Sequence, residues 1–352
     1  MAAVAVAGAT GGVVALTRGR SPRRSAPFAA QVAAEAPTTQ LARPAPEVGN
    51  VVPGPVNGLP FTRDEAKAWQ GRRPLAVIIE NSTDARPQSG LSEADVVYEA
   101  LAEGGITRYL ALYVTNTDAV RVGPVRSVRV YFLDWLEEYG AVAVHVGGNY
   151  HALDRIGPEA VPDLDQSYTG GTTFERTSDR VAPHNVYTST DRLWAAADAA
   201  GYGPPLEFES WTFKGDAAYG EAASVRTLRL GFLGDPGYVV DWTYSPTDNS
   251  YRRAVGGKPD IDRGNTTQVK AKTVIVQEVP YQFFGRESAL DMGDIGTGKA
   301  HILMDGTEIE ATWTKPSTTG RTVFTDAGGR PVPINRGQVW VEVVPPGSPV
   351  TF

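Results

Sequence analysis

The run LAVIIENSTDARPQSGLSEADVVYEALAEGGITRYLALYV, residues 75–114, and its continuation GPVRSVRVYFLDWLEEYGAVAVHVGG, residues 123–148, decide how this chain reads. Costly polar side chains stand directly against the most apolar, β-rich runs of the sequence: Glu80, Asn81, Arg86, Glu99, Glu103, Arg108, Arg126, Arg129 and His145. Ionised groups are seldom buried unless they are paired or hydrogen bonded. The pattern therefore points to a built polar site and not to a solvated face.

Working outward, Leu75–Ile79 is a continuous apolar run of the kind expected for a strand covered on both faces, which leaves Glu80 and Asn81 at its C-terminal end. In the loop that follows, Pro87 pushes Arg86 toward an extended conformation. Two β-compatible runs, VVYEALAE and ITRYLALYV, flank Gly104-Gly105 and read as a hairpin with a tight primed turn. The competing reading is a helix from Ser92, with Asp95 in a near capping box and the glycines as its stop. Either geometry puts Glu99 and Glu103, four apart, on one face. In the hairpin Glu103 would face Ile106 and Leu101 would face Arg108, giving a carboxylate pair with its own cation.

Pro124 suits a first helical turn, and Tyr131, Phe132, Trp135, Leu136 and Tyr139 would form the apolar face of that helix. Arg126 and Arg129 would then lie on one side of its first turn, where free backbone N–H groups and two guanidinium groups make an anion site. The alternative is that these arginines pair with Glu99 and Glu103 in a buried architectural network. AVAVHVGGN reads as a second buried strand ending at His145, with Gly147-Gly148 admitting a close backbone approach before Asn149. FERTSDRVAPHNVYTS supplies Arg176, His184 and Asn185 on a loop before a helix from about Thr190 to Ala200, with His184 as a mobile partner for His145.

Ligands of open α/β sheets bind at the carboxyl ends of strands. The expectation is one shared cleft there, in which Arg126, Arg129, His145 and Asn81 face a small anionic or carbohydrate-like ligand while Glu99 orients the arginines. The ligand-binding candidates are Glu80, Asn81, Arg86, Arg108, Arg126, Arg129, Asn149 and Asn185. The catalytic candidates are Glu99, Glu103, His145 and His184, two carboxylates with a proton carrier.

With 352 residues, net charge −7 and a mixed apolar and charged composition, the chain is long enough for two domains, each able to bury a core. An acidic balance argues against a nucleic-acid partner, which needs a concentrated basic surface. Cysteine is absent, so disulfides, Cys-ligated zinc and a thiol nucleophile are excluded. The four histidines, 145, 151, 184 and 301, show no paired metal-ligand spacing, and no cofactor motif is present. GDIGTGKA, residues 293–300, approaches a phosphate-binding loop but carries Ala300 where Ser or Thr should hold magnesium.

Residues 1–24 read as the remainder of a longer signal or membrane anchor, since Ala/Gly/Val residues precede the arginines where a signal has the reverse order. Residues 25–72 read as a disordered tether. Residues 73–210 and 224–346 then form an α+β protein, a mixed α/β N-terminal domain followed by a mainly antiparallel β C-terminal domain whose short strands are separated by Gly, Pro, Asn and Asp. Trp242, Trp313 and Trp340 belong to the second core. One continuous sheet across residues 75 to 345 would be incompatible with two separately closed domains.

ARPQSGLSEADVVYEALAEGGITRYLALY, GPVRSVRVYF, HVGGN and APHNVY resemble the YerB-like bacterial lipoprotein family. YRR, DIDR, VIVQ, GTGKA, ATWTK and GQVWVEV resemble that family's C-terminal domain, and the likeness spans residues 73 to 346. The resemblance implies two domains of unknown function, exported and held at the outer face of the membrane. It supplies no catalytic residue, and the chain departs from the lipoprotein pattern in having no cysteine to lipidate. Three function classes follow: an extracytoplasmic cell-envelope protein binding a small anionic or glycan ligand, an envelope hydrolase or lyase, and a structural protein–protein module with an envelope partner. Membrane contact would run only through an N-terminal anchor.

Overall fold

Ten strands build the central sheet, and their order interleaves the two halves of the chain. From one edge it runs Val323–Thr325, Thr307–Lys315, Gly296–Met304, Thr273–Glu278, Val339–Val344, Val96–Leu101, Thr107–Tyr113, Leu75–Glu80, Val142–His145 and Asp163–Asp165. These come from a computed structural model that describes residues 51–204, 208–217, 224–284 and 289–352. The expected signal or anchor at residues 1–24, and the tether as far as residue 50, lie outside the described residues.

The α+β class is as expected: helices Val130–Glu137, Tyr150–Ile156 and Thr190–Ala199 sit in the first segment, while the second is almost wholly strands. The seam between the segments is a parallel pairing of Val96–Leu101 with Val339–Val344, Glu99 lying beside Glu342. A smaller antiparallel sheet, built on Thr227–Leu230, Val240–Ser245 and Ser250–Val255, packs over this seam. Separate closure of the two domains is thereby corrected. The described residues belong to one compact unit with one main core, because the central strands of each segment find their lateral hydrogen bonds in the other. Trp340 shows the sharing directly: its ring packs edge-on against Tyr109 of the first segment at 5.6 Å and Trp242 of the second at 5.4 Å.

The tether also ends earlier than expected. Val51–Pro53 pairs with Pro60–Thr62, and Arg63–Gln70 is a helix whose capping box joins Thr62 and Glu65. Phe61 and Trp69 make a small satellite core, and the Asn57 side chain donates to Asp95 at 2.6 Å.

Residues 96–113 form the hairpin and not the helix, but its register is shifted by one from the expected pairing. Ala102–Ile106 makes the connection, with Gly104 at φ 78° and Gly105 at φ 75°, so Ala100 and not Leu101 faces Arg108. A one-residue slip exchanges the faces of a strand. Arg108 consequently points away from the face that carries Glu99, and Glu103 lies in the turn beyond the strand. The second helix is shorter than expected, since residues up to Arg129 are extended and bond to the strand ends at Ile78 and Val146. Arg126 and Arg129 are therefore not first-turn residues. GDIGTGKA enters the long strand Gly296–Met304, which lacks the strand-to-helix turn that a phosphate loop requires.

Candidate functional site

The polar residues singled out in the sequence separate into four groups. The most buried is centred on Glu99, which is inaccessible to solvent. Its Oε1 accepts from Asn81 Nδ2 at 3.0 Å and from the Thr107 hydroxyl at 2.6 Å, and its Oε2 accepts from the Arg253 guanidinium. Arg253 also donates to Asp260 and lies 3.8 Å from Glu342 Oε1, which accepts from Trp242 Nε1 at 2.8 Å. The rings of Trp340, Tyr109 and Trp242 surround its Cζ at 4.8, 5.6 and 5.8 Å. Burial, reinforced by the neighbouring Glu99, holds the Glu342 carboxyl well above the usual carboxylate range. Burial works against the charge on Arg253, yet Glu99 and the other acids around it keep it firmly protonated. The set is a charge-compensated clamp between the segments. Glu99 is thus neither a member of a catalytic pair nor a guide for Arg126 and Arg129.

The second group holds His145, also fully buried, whose Nε2 meets Asp163 Oδ1 at 2.7 Å and whose Nδ1 meets the Gly147 carbonyl at 2.9 Å. It ties two adjacent strand ends together and opens to no cleft. In the third, Arg129 clamps Glu103 at 2.6–2.7 Å through Nε, and Arg108 donates to the Ser127 carbonyl at 2.7 Å. Burial, with Arg129 beside it, lowers the Arg108 guanidinium to about 10. Asn149 caps the helix Tyr150–Ile156 by accepting from Ala152 N–H, and Asn185 accepts from Arg176. Glu103, Arg108, Arg129, Asn149 and Asn185 therefore have local partners, and the single shared cleft is not formed.

The fourth group is half open and sits where Leu75–Glu80 ends. Glu80 is 3 % exposed, Arg126 25 % and His184 23 % on the side-chain scale. Glu80 Oε1 accepts from the Ser82 hydroxyl at 2.9 Å and from His184 Nδ1 at 3.0 Å, and Arg126 Nε stands 3.4 Å away. With Nδ1 directed at a carboxylate, Nε2 is the ring nitrogen left free of Glu80. His184 is thus the partner of Glu80 and not of His145. Among the described residues the second Glu80 oxygen is buried without a hydrogen-bond donor. Among the described residues Arg126 makes no side-chain hydrogen bond, in contrast to Arg86, Arg108 and Arg129.

Local sequence explains this edge. Arg86, extended as expected, donates from Nε to Asn81 Oδ1 at 2.8 Å and from Nη1 to the Gly237 carbonyl at 2.7 Å. Gln88 holds the Glu80 carbonyl at 2.9 Å, and Arg180 donates to the carbonyls of Ala85 and Pro87, bringing the His184 loop onto the Ser82 loop. A cleft of about 450 Å³ opens beside Thr83 and Arg86 and is lined further by Lys258 and Asp260, but its guanidinium is already spent on Asn81 and Gly237. Arg253, Asp260 and Glu342 escaped the sequence reading. The signal was present: Arg252 and Arg253 are consecutive in a strand, so alternation forces one of them inward.

Fold and site together define an α+β protein whose two sequence segments share one sheet and are fastened by buried charge, with an unsaturated cationic edge at the end of Leu75–Glu80. The chain belongs to the family described as "Protein of unknown function (DUF3048)", matching its N-terminal domain over residues 60–203 and its C-terminal domain over residues 229–341. It is 31% identical over 301 residues to the Bacillus subtilis (strain 168) protein named "Putative lipoprotein YerB", covering 85% of this chain and 88% of that one. The crystal structure of YerB protein from Bacillus subtilis superposes with a TM-score of 0.76 at 29% identity, covering 86% of this chain and all of that one.

Proposed function

We propose that the protein is an extracytoplasmic cell-envelope protein that binds a small anionic or carbohydrate-like ligand at the Glu80–Arg126–His184 edge. The observation that carries this reading is Arg126. It is a partly exposed guanidinium held 3.4 Å from one carboxylate oxygen, with no hydrogen bond of its own among the described residues. A planar fork of N–H donors in that state suits a carboxylate. Location outside the cytoplasm is supported by the apolar start, the Pro/Ala-rich stretch after it and the lipoprotein name of the relative. No helix among the described residues is long and apolar enough to cross a membrane.

Calorimetric titration with N-acetylmuramic acid, which carries a carboxylate, and neutral N-acetylglucosamine tests the site. Binding of the acid alone, abolished by Arg126→Ala, is expected; equal binding of both sugars, or none of either, refutes the proposed chemistry. An alkaline phosphatase fusion joined after about residue 70 is expected to be active outside the cell. Activity confined to a cytosolic reporter defeats the location.

A hydrolase or lyase is the second reading, favoured by the Glu80-oriented imidazole. Its chemistry would run through His184 with Glu80, since Glu99 and Glu103 are engaged elsewhere. Product released from wall fragments by the wild type and not by His184→Ala would establish it. A flat interaction module is disfavoured by the clefts in the surface.

A further inference from the structure

Outside that edge, a cavity of about 640 Å³ lies between the end of helix Val130–Glu137 and the turn that follows the strand Thr307–Lys315. Glu137, Glu138, Phe208, Glu209, Thr314 and Arg321 are among its lining residues. Arg321 is only 6 % exposed, and its Cζ sits 4.2 Å from the ring of Tyr139 and 3.8 Å from that of Trp211. Tyr139 also contributes its polar hydroxyl as a neighbour, but among the described residues Nε and both terminal nitrogens are buried without a well-formed hydrogen bond.

The nearest carboxylate is already in use. Glu138 Oε1 stands 3.4 Å from Arg321 but already accepts from the Tyr98 hydroxyl at 2.8 Å, and Oε2 accepts from Thr322 N–H at 2.6 Å. Lys315, fully buried, lies 3.7 Å from the same carboxylate and donates to the Thr318 and Gly320 carbonyls at 2.8 and 2.9 Å. Arg321 is the desolvated cation without a well-formed hydrogen bond among the described residues, and buried charge of that kind needs another partner. Aromatic rings beside a guanidinium cover its faces, and its donor edge is the part that pairs with a carboxylate.

The rest of the lining opposes a doubly charged anion. Glu137 and Glu209 face the same cavity, and the helix ending at Glu137 brings the negative end of its dipole there. A ligand with one carboxylate and one ammonium group satisfies both halves. We propose that this cavity is a second binding site, taking a free amino acid or short peptide with its carboxylate on Arg321 and its ammonium toward Glu137 and Glu209.

The full chain would be titrated with L-alanyl-L-alanine, sodium acetate and inorganic phosphate, read by calorimetry and by hydrogen exchange over residues 314–323. Saturable dipeptide binding with protection of that segment is expected, with acetate and phosphate at least tenfold weaker. Arg321→Met, which keeps an unbranched apolar chain between the rings, should weaken the dipeptide at least tenfold, and Glu137→Gln with Glu209→Gln should reduce it without changing acetate. Arg126→Ala should leave it unaltered, which separates this site from the one above. Absence of dipeptide binding to the wild type, phosphate binding as tightly as the dipeptide, or loss in Arg126→Ala would overturn the proposal. Should Arg321→Met fail to fold, the exchange pattern of the wild type and the double glutamine variant decide.

Discussion

Arg253 and Arg126 are both guanidinium groups facing glutamates, and they have opposite fates. Arg253 is sealed within three carboxylates and three aromatic rings and draws them from both segments of the chain. Arg126 stands at a strand end with a single, longer contact to Glu80 and a side chain 25 % exposed. The difference is one of access. Where opposite charges are paired away from water, charge fastens architecture; where a donor set is left incomplete near solvent, charge remains available to a ligand.

The largest effect should come from breaking the sealed member. Arg253→Ala leaves Glu99 and Asp260 buried without their cation and is expected to cost about 3–5 kcal/mol, the usual result of removing one partner from a buried ion network. Urea denaturation would measure it, and a loss below about 1 kcal/mol would show that the clamp does not hold the segments together. Because the seam is shared, both segments should unfold in one transition.

A pH-dependent effect is expected at Asp294, a third kind of buried charge. Burial, with Asp134 adding to it, pushes its carboxyl up to about 8 from an ordinary 3.8, and Asp291 and Lys315 are its other charged neighbours. The folded chain then holds a proton that the unfolded chain has released, so stability falls as pH rises from about 4 to about 8 and levels off above. Asp294→Asn cannot ionise. Its melting temperature should therefore drop less between about pH 5 and pH 8 than that of the wild type, by a few degrees; an identical pH profile in the two proteins would refute the assignment.

The smallest stability change belongs to the open member of the comparison. Arg126→Ala should alter unfolding by less than about 1 kcal/mol, because a partly exposed pair at 3.4 Å is weak and screened. A fold-breaking loss there would move Arg126 into the architectural class and remove the support for the ligand site. Small stability loss combined with lost binding would sharpen the contrast with Arg253.

Much of the fold was legible because it depends on local pattern. Continuous apolar runs identified Leu75–Glu80 and Val142–His145 as buried strands, the Gly104-Gly105 signal identified the hairpin, and the helix at Thr190–Ala199 was read nearly to its ends. The polar residues of 80–145 were recognised as costly, and they are paired or buried as that cost requires. Their partners were misread, since a hairpin register turns on one residue of loop geometry and the face of Arg108 follows from it.

By itself, then, the sequence determined the α+β class, the order of mixed and mainly β segments, and the set of side chains that cannot stand alone in an apolar setting. Those follow from hydrophobic period and from the price of dehydrating charge, both properties of short stretches. Only the tertiary structure decided that Glu99 belongs to Arg253, 154 positions away, that His145 belongs to Asp163, and that Arg126 is left incomplete. Such pairings depend on which strands lie side by side. The junction of Val96–Leu101 with Val339–Val344 joins residues about 240 apart through backbone hydrogen bonds that every residue type except proline can make, so the local side-chain pattern carries no mark of the partner.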